Sequence, residues 1–434
     1  MPPKKGKKKG GKKGKKGGKK KVLKGMTEIP ELLVKRLLKH YENQCKATQC
    51  AISPYMKKLM KDCMEKNQLL VKIILEPLPV ESKDDPQVTL EPLISSLRGE
   101  RYTYIKDIHI WDMLMKYENI ATLALFLEKG FYQIRSVEMI DCLIEPHSVE
   151  RLSRSFPYCK TLTHIILDYN DFGDEGCRGL CKGLDGNKTM LSVSMCYCDL
   201  SRDSGNVLGN MIATTAVREL YLDGNELGCE GAIDIIKLCV DQAELETHQK
   251  EEEEKRKAEE EDAAKTNPAA GTMISRTSSA SAKSEESKPA SAKKGKEGGK
   301  GKKKKKGKKG KKKKEAPPPA VGPWIHKLHL ADNAIDGFCS DTFAPVICMR
   351  LFKQLLIHST CLEEIDLDKN LIGDLGGREI MTGLEMRKEA KLKSVGVRTS
   401  HRLSADVYNT IHKLGAAVKK KKKGKGKKGK KKKK

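Results

Sequence analysis

The chain has 434 residues and a net charge of +28, but that charge is unevenly held. Residues 1–25, 291–315 and 419–434 each carry +13, nearly all of it lysine, which leaves the remainder at −11. Lysine and glycine runs bury no apolar area to offset their ordering entropy, so composition excludes these blocks from any core and makes the foldable part mildly acidic.

Residues 1–25 therefore read as a disordered tail. Val22 and Leu23 start no long apolar run, and no window approaches the roughly 18 apolar residues of a membrane span. With no secretory leader expected, the 14 cysteines point to a reduced compartment in which most thiols serve as small apolar groups. Next, "TEIPELLVKRLLKHYENQC" and "SPYMKKLMKDCMEKN" read as two amphipathic helices. Ser53 is the expected N-cap of the second and Pro54 its first helical residue. Together residues 26–68 form a helical cap of the kind an end repeat needs.

Over residues 69–243 one pattern recurs. The segments "LVKIILEPLPV" from 70, "IKDIHIWDMLM" from 105, "IRSVEMIDCLI" from 134, "LTHIILDYNDF" from 162, "MLSVSMCYCDL" from 190 and "VRELYLDGNEL" from 217 place apolar residues at relative positions 1, 4, 6 and 11. Alternation across positions 4 and 6 marks a short strand. Segments such as "GCEGAIDIIKLC" that follow carry an apolar helical face.

One further period should begin near residue 245. Instead residues 244–323 run through charged helix-prone sequence, a Ser/Ala-rich stretch, the central lysine block and Pro317–Pro319. The repeat resumes within residues 324–418, at "IHKLHLADNAI" from 325, "LEEIDLDKNLI" from 362 and a degraded "LKSVGVRTSHR" from 392. Insertions between repeat units map to loops, and loop closure costs grow only slowly with length. One solenoid with an inserted loop and two separate arcs both fit. Residues 419–434 read as a second disordered tail.

The register L-x-x-L-x-L-x-x-N/C-x-L resembles the leucine-rich repeat, and its long period, with "GDEGCRGLCKGL" and "GDLGGREIMTGL" after the strands, resembles the ribonuclease-inhibitor-like subfamily. That resemblance implies an α/β solenoid, a horseshoe with a concave parallel sheet and outer helices. Strands about 4.8 Å apart beside helices 8–10 Å apart require the same curvature. Position 9 reads Cys142, Asn170, Cys198, Asn225, Asn333 and Asn370. In this fold it would form a turn ladder in which Asn pairs loop backbone and Cys fills the same site.

Motifs for chemistry are scarce. "GLDGNKT" lacks the spacing of a phosphate-binding loop, Cys196 and Cys198 have no second thiolate pair at zinc-ligand spacing, and His109 and His329 have no adjacent nucleophile. No catalytic, metal or cofactor residue is expected, and the chain reads as a non-enzyme. On the exposed strand face Glu138, Asp168, Tyr221, Asp223, His329, Asp332, Asp366 and Asp368 are the candidate protein-binding residues. The acids read either as a groove for a basic ligand or as groups serving the turns.

Lys302, Lys303, Lys304, Lys305 and Lys306 stand for the polyanion-binding tracts. Such tracts bind nucleic acid through counterion release, though with no aromatic or arginine interleaved for stacking or base readout, and they equally suit acidic protein tails such as those of tubulin or anionic membrane surfaces. The opening "MPPKKGKKKG" is similar in composition to the termini of several ciliary and flagellar proteins. The expectation is thus a cytoplasmic, cytoskeletal scaffold on axonemal microtubules, with a nuclear or nucleolar RNA-associated protein and a small-GTPase regulator as alternatives.

Overall fold

A computed structural model describes residues 29–79, 85–266, 320–338 and 342–416. The three lysine blocks, Lys302–Lys306 among them, lie outside the described residues. By contact the chain divides into one unit of residues 1–244 with 319–434 and a second of residues 245–318.

In the first unit nine strands form one parallel sheet in sequence order. They are β1 (Lys72–Leu75), β2 (Asp107–Trp111), β3 (Ser136–Ile140), β4 (His164–Ile166), β5 (Ser192–Ser194), β6 (Glu219–Tyr221), β7 (Lys327–His329), β8 (Glu364–Leu367) and β9 (Gly396–Thr399). β1 to β8 each begin two residues after the repeat starts read from the sequence. β6 pairs directly with β7, Leu220 opposite Leu328, so the sheet continues across the insertion.

β9 departs from expectation. The repeat read from Leu392 would put Val395 opposite Ile365, but the sheet pairs Ile365 with Val397 and Leu367 with Thr399. A slip of two residues keeps the same side chains inward, and Val395 and Val397 are both buried, so apolar spacing alone does not discriminate.

Inward residues such as Ile108 and Ile110, Val137 and Met139, Leu220 and Leu222 are buried, and form one core with the helices. Glycine allows the helices to approach closely. A Cβ on Gly205 would come within 2.6 Å of Gly231, and one on Gly209 within 2.4 Å of the Asp234 carbonyl.

Helices Pro30–Ala47 and Pro54–Lys66 precede β1, with Ser53 Oγ accepting the Met56 amide at 3.2 Å. Met56 Sδ accepts the Ile74 amide at 3.3 Å, blunting the outer edge of β1. The helix Gly228–Thr266 runs through the boundary expected at 243/244. Its part in the second unit is charged, with Lys257 to Glu253 at 2.6 Å and Arg256 to Glu260 at 3.7 Å, pairs one turn apart that support a solvated helix.

Candidate functional site

Register brings the outward side chains of adjacent strands into a row. His109 stands opposite Glu138, Tyr221 opposite His329, His329 opposite Asp366, and Asp366 opposite Arg398. Four of the residues expected on this face, Glu138, Tyr221, His329 and Asp366, therefore share one line.

The row is largely self-paired. Trp111 Nε1 donates to Glu138 Oε1 at 2.7 Å, and His109 Nδ1 lies 2.8 Å from Oε2. Burial pushes the Glu138 carboxyl upward, but the His109 and Trp111 contacts outweigh it and the net shift is down. Lys327 Nζ donates to Glu219 at 2.6 Å, and Tyr221 Oη to the same carboxylate at 3.2 Å. Burial, then the Glu219 charge, pushes the Tyr221 phenol up to about 12. His329 lies edge-on to Tyr221 with Nε2 3.3 Å from Glu364. Asp366, almost wholly buried, pairs with Arg398 and accepts the Asp368 amide at 3.0 Å. Burial nevertheless raises its pKa.

The remaining acids of the set serve turns. Asp168 Oδ1 accepts Cys196 N at 2.9 Å and Ser194 Oγ at 2.6 Å, and Asp223 Oδ1 accepts Ala331 N at 2.9 Å, each closing the next strand's end. Asp332 sits in a left-handed turn, paired with Lys369 at 3.2 Å, and Asp368 accepts the Lys369 amide. Of the two readings of these acids, the turn-serving one describes Asp168 and Asp223. Sequence reasoning missed Trp111, Lys327 and Arg398, whose roles depend on what register sets beside them.

The position-9 residues are hydrogen-bonded to the backbone of the turns. Asn170 Oδ1 accepts Cys142 N at 2.9 Å and Ile144 N at 3.2 Å, while its Nδ2 donates to Met139 and Leu167 carbonyls at 3.0 and 2.7 Å. Asn225 repeats this one unit later, and Asn370 does the same for Asn333. The thiols of Cys142 and Cys198 donate to carbonyls of the preceding strand, Ile110 at 3.5 Å and Leu167 at 3.2 Å. Burial pushes Cys142 up to about 11 and Cys198 higher still.

The unengaged groups stand at the strand ends. Asp112, Asp141, Asp171, Asp199 and Glu226 are exposed there and form no ion pair among the described residues. Between them Tyr169 and Tyr197 stack at 4.7 Å with planes 6° apart, each in a left-handed conformation that tyrosine seldom adopts. Gly224 occupies the equivalent turn of the next repeat at φ +72, where a Cβ would strike the Tyr197 ring at 2.1 Å. This acidic, aromatic rim is exposed and lies outside the self-paired row.

Burial, with Asp168 and Asp223 beside it, pushes the Cys196 thiol up to about 12. At pH 8 it stays protonated, so its alkylation by iodoacetamide is expected to run at least ~100-fold slower than that of a free cysteine and to accelerate only toward pH 12. Reaction at the free-thiol rate would contradict this environment. Among the described residues no group of three or more His, Cys, Asp or Glu could hold a metal ion, and no helix is long and apolar enough to cross a membrane.

Comparison with known proteins converges on the same units. A family model described as Leucine Rich repeat matches residues 158–181 and 358–381, the surroundings of β4 and β8. The chain is 27% identical over 160 residues to a ribonuclease inhibitor of Sus scrofa, covering 36% of this chain and 35% of that protein. It is 24% identical over 135 residues to a ribonuclease inhibitor of Mus musculus, 31% of this chain and 30% of that one. It is also 24% identical over 140 residues to the NACHT, LRR and PYD domains-containing protein 4B of Mus musculus, 32% of this chain but 16% of the relative. The chain thus spans about a third or less of each of these relatives.

Proposed function

We propose, from the premise that this chain is a leucine-rich repeat protein of the ribonuclease-inhibitor-like kind, that it is a non-enzymatic scaffold. It docks a protein partner on the strand-end rim while its lysine tracts hold an acidic polymer. The observation that carries the docking surface is the Tyr169–Tyr197 stack among unpaired carboxylates. Flat aromatic faces beside acids fit a partner that presents arginine, by stacking and charge together.

For the tracts, three blocks of +13 suit a polymer with dense negative charge, and we assign them to the acidic tails of tubulin on axonemal microtubules. Such binding rests on counterion release and falls steeply with salt. Co-sedimentation with microtubules at rising salt tests it, using the full chain, a chain without the three blocks, and a D171N/D199N/E226Q variant. Pelleting should fall with salt, be lost without the blocks and persist in the triple variant. Salt-insensitive pelleting that survives loss of all three blocks would overturn the tract mechanism. Recovery of the tagged protein in nuclei, cross-linked to RNA and absent from cilia, would favour the RNA-associated reading instead.

A further inference from the structure

The opposite end of the strands, where helices lead into the sheet, carries the reverse charge. Arg98, Arg101, Lys106, Lys129 and Arg135 gather there from the first three repeats, and none forms an ion pair among the described residues. Two nearby acids are already taken: Glu100 by Arg36 at 3.2 Å and His40 at 3.3 Å, and Glu128 by Arg151 at 2.8 Å. Arg98 lies in the last turn of the helix Glu91–Gly99, where a cation complements the dipole, and Lys129 lies just past the C-cap of the helix Tyr117–Leu127. Lys106 and Arg135 enter strands instead, one above the other, with Arg135 N donating to the Lys106 carbonyl at 2.7 Å. Helix dipoles therefore do not account for the cluster.

At its centre is a cleft of about 440 Å³ lined by Arg98, Arg101, Thr103, Lys129, Phe131 and Tyr132. Phe131 is 55% exposed. It rests against buried Tyr132 at 4.4 Å, and Tyr132 is stacked on Phe126 at 3.8 Å. The outer ring is thus braced by two others in the core and ringed by free cations.

The geometry points to a binding site for single-stranded nucleic acid, a base stacked on Phe131 and the flanking phosphates held by Arg98, Arg101 and Lys129. An acidic peptide would use the cations but leave the braced ring idle. A base uses both, since every base has a face to stack and a phosphate beside it. The lysine tracts offer charge without a ring, so the folded cleft supplies a contact that they lack. This inference stands apart from the microtubule assignment and is read at a different place on the chain.

The test uses the full-length chain, irradiated with a short oligouridylate carrying a photoreactive uridine and mapped by peptide mass spectrometry. A cross-link on the segment holding Phe131 and Tyr132 is expected. Phe131→Leu, which keeps an apolar side chain on an exposed position, should lower that cross-link about tenfold and leave those on the lysine tracts unchanged. R98Q/R101Q should lower it comparably, with far-UV circular dichroism unaltered in both variants. Cross-links confined to the tracts, or an F131L yield equal to the unmodified chain, would overturn the site. So would a polyglutamate peptide displacing the oligonucleotide from the cleft of the F131L variant and the unmodified chain equally well.

Discussion

Asn225→Ala is expected to cost about 3–5 kcal/mol, the larger part of the margin by which a typical domain is stable. The amide satisfies four buried backbone groups at once. Its Oδ1 accepts Cys198 N at 3.0 Å and Leu200 N at 3.1 Å, and its Nδ2 donates to the Met195 and Leu222 carbonyls at 2.9 and 2.7 Å. These join the fifth and sixth repeats, so alanine orphans groups on both sides of one interface. Urea denaturation should show the loss, and amide exchange at Cys198 and Leu200 should quicken most. Asn225→Cys, the choice made at positions 142 and 198, keeps a donor and loses both acceptor contacts, so its cost should fall between. A midpoint for the alanine variant equal to that of the unmodified chain would refute the ladder's role.

Arg387→Met should cost a similar amount, about 3–5 kcal/mol. The guanidinium is 1% exposed and unpaired with any carboxylate among the described residues. Nε donates to the Lys393 carbonyl at 2.6 Å, and Nη1 to those of Leu356 and Ser359 at 2.7 and 2.6 Å. Two of these acceptors close the C-terminus of the helix Ala344–His358, where the dipole favours a positive charge. Burying a bare cation is costly, and burial does lower its pKa. Removing it is worse, because three inward carbonyls then have no donor. Arg387→Lys should not rescue, since an ammonium lacks the planar fork that reaches carbonyls in two directions. Thermal unfolding of the two variants beside the unmodified chain decides the matter; a methionine variant within 1 kcal/mol of the parent would show that water enters and satisfies the site.

Both arrangements differ in how far they could be read in advance. The ladder was legible because position 9 repeats in sequence and takes only Asn or Cys, both of which donate there to inward carbonyls. Arg387 has no repeat equivalent, and nothing in "LEMRKE" separates it from Lys388, which is exposed. The same contrast holds on the strand face. Which residues point outward follows from alternation, so Glu138, Tyr221, His329 and Asp366 fall in line. Their partners depend on register between repeats: the register read from Leu392 would set Gly396 opposite Asp366, and the two-residue slip at β9 puts Arg398 there instead. The tyrosine stack escaped for another reason: Tyr169 and Tyr197 occupy a turn position that the repeat pattern leaves unspecified, and only backbone handedness brings the rings together.

The pairing of β6 with β7 also governs the order in which the molecule assembles. Every other adjacent pair of strands is joined by a few tens of residues, so its contacts are local and form quickly, whereas this seam waits for the whole insertion to be synthesised. The added closure entropy is only about 1 kcal/mol, too little to weaken the finished sheet. During synthesis, however, β6 presents an open parallel edge until β7 emerges. The nascent first six repeats are then a folded body with one unpaired flank, the stage at which edge-to-edge association with a neighbouring chain competes with completion of the fold.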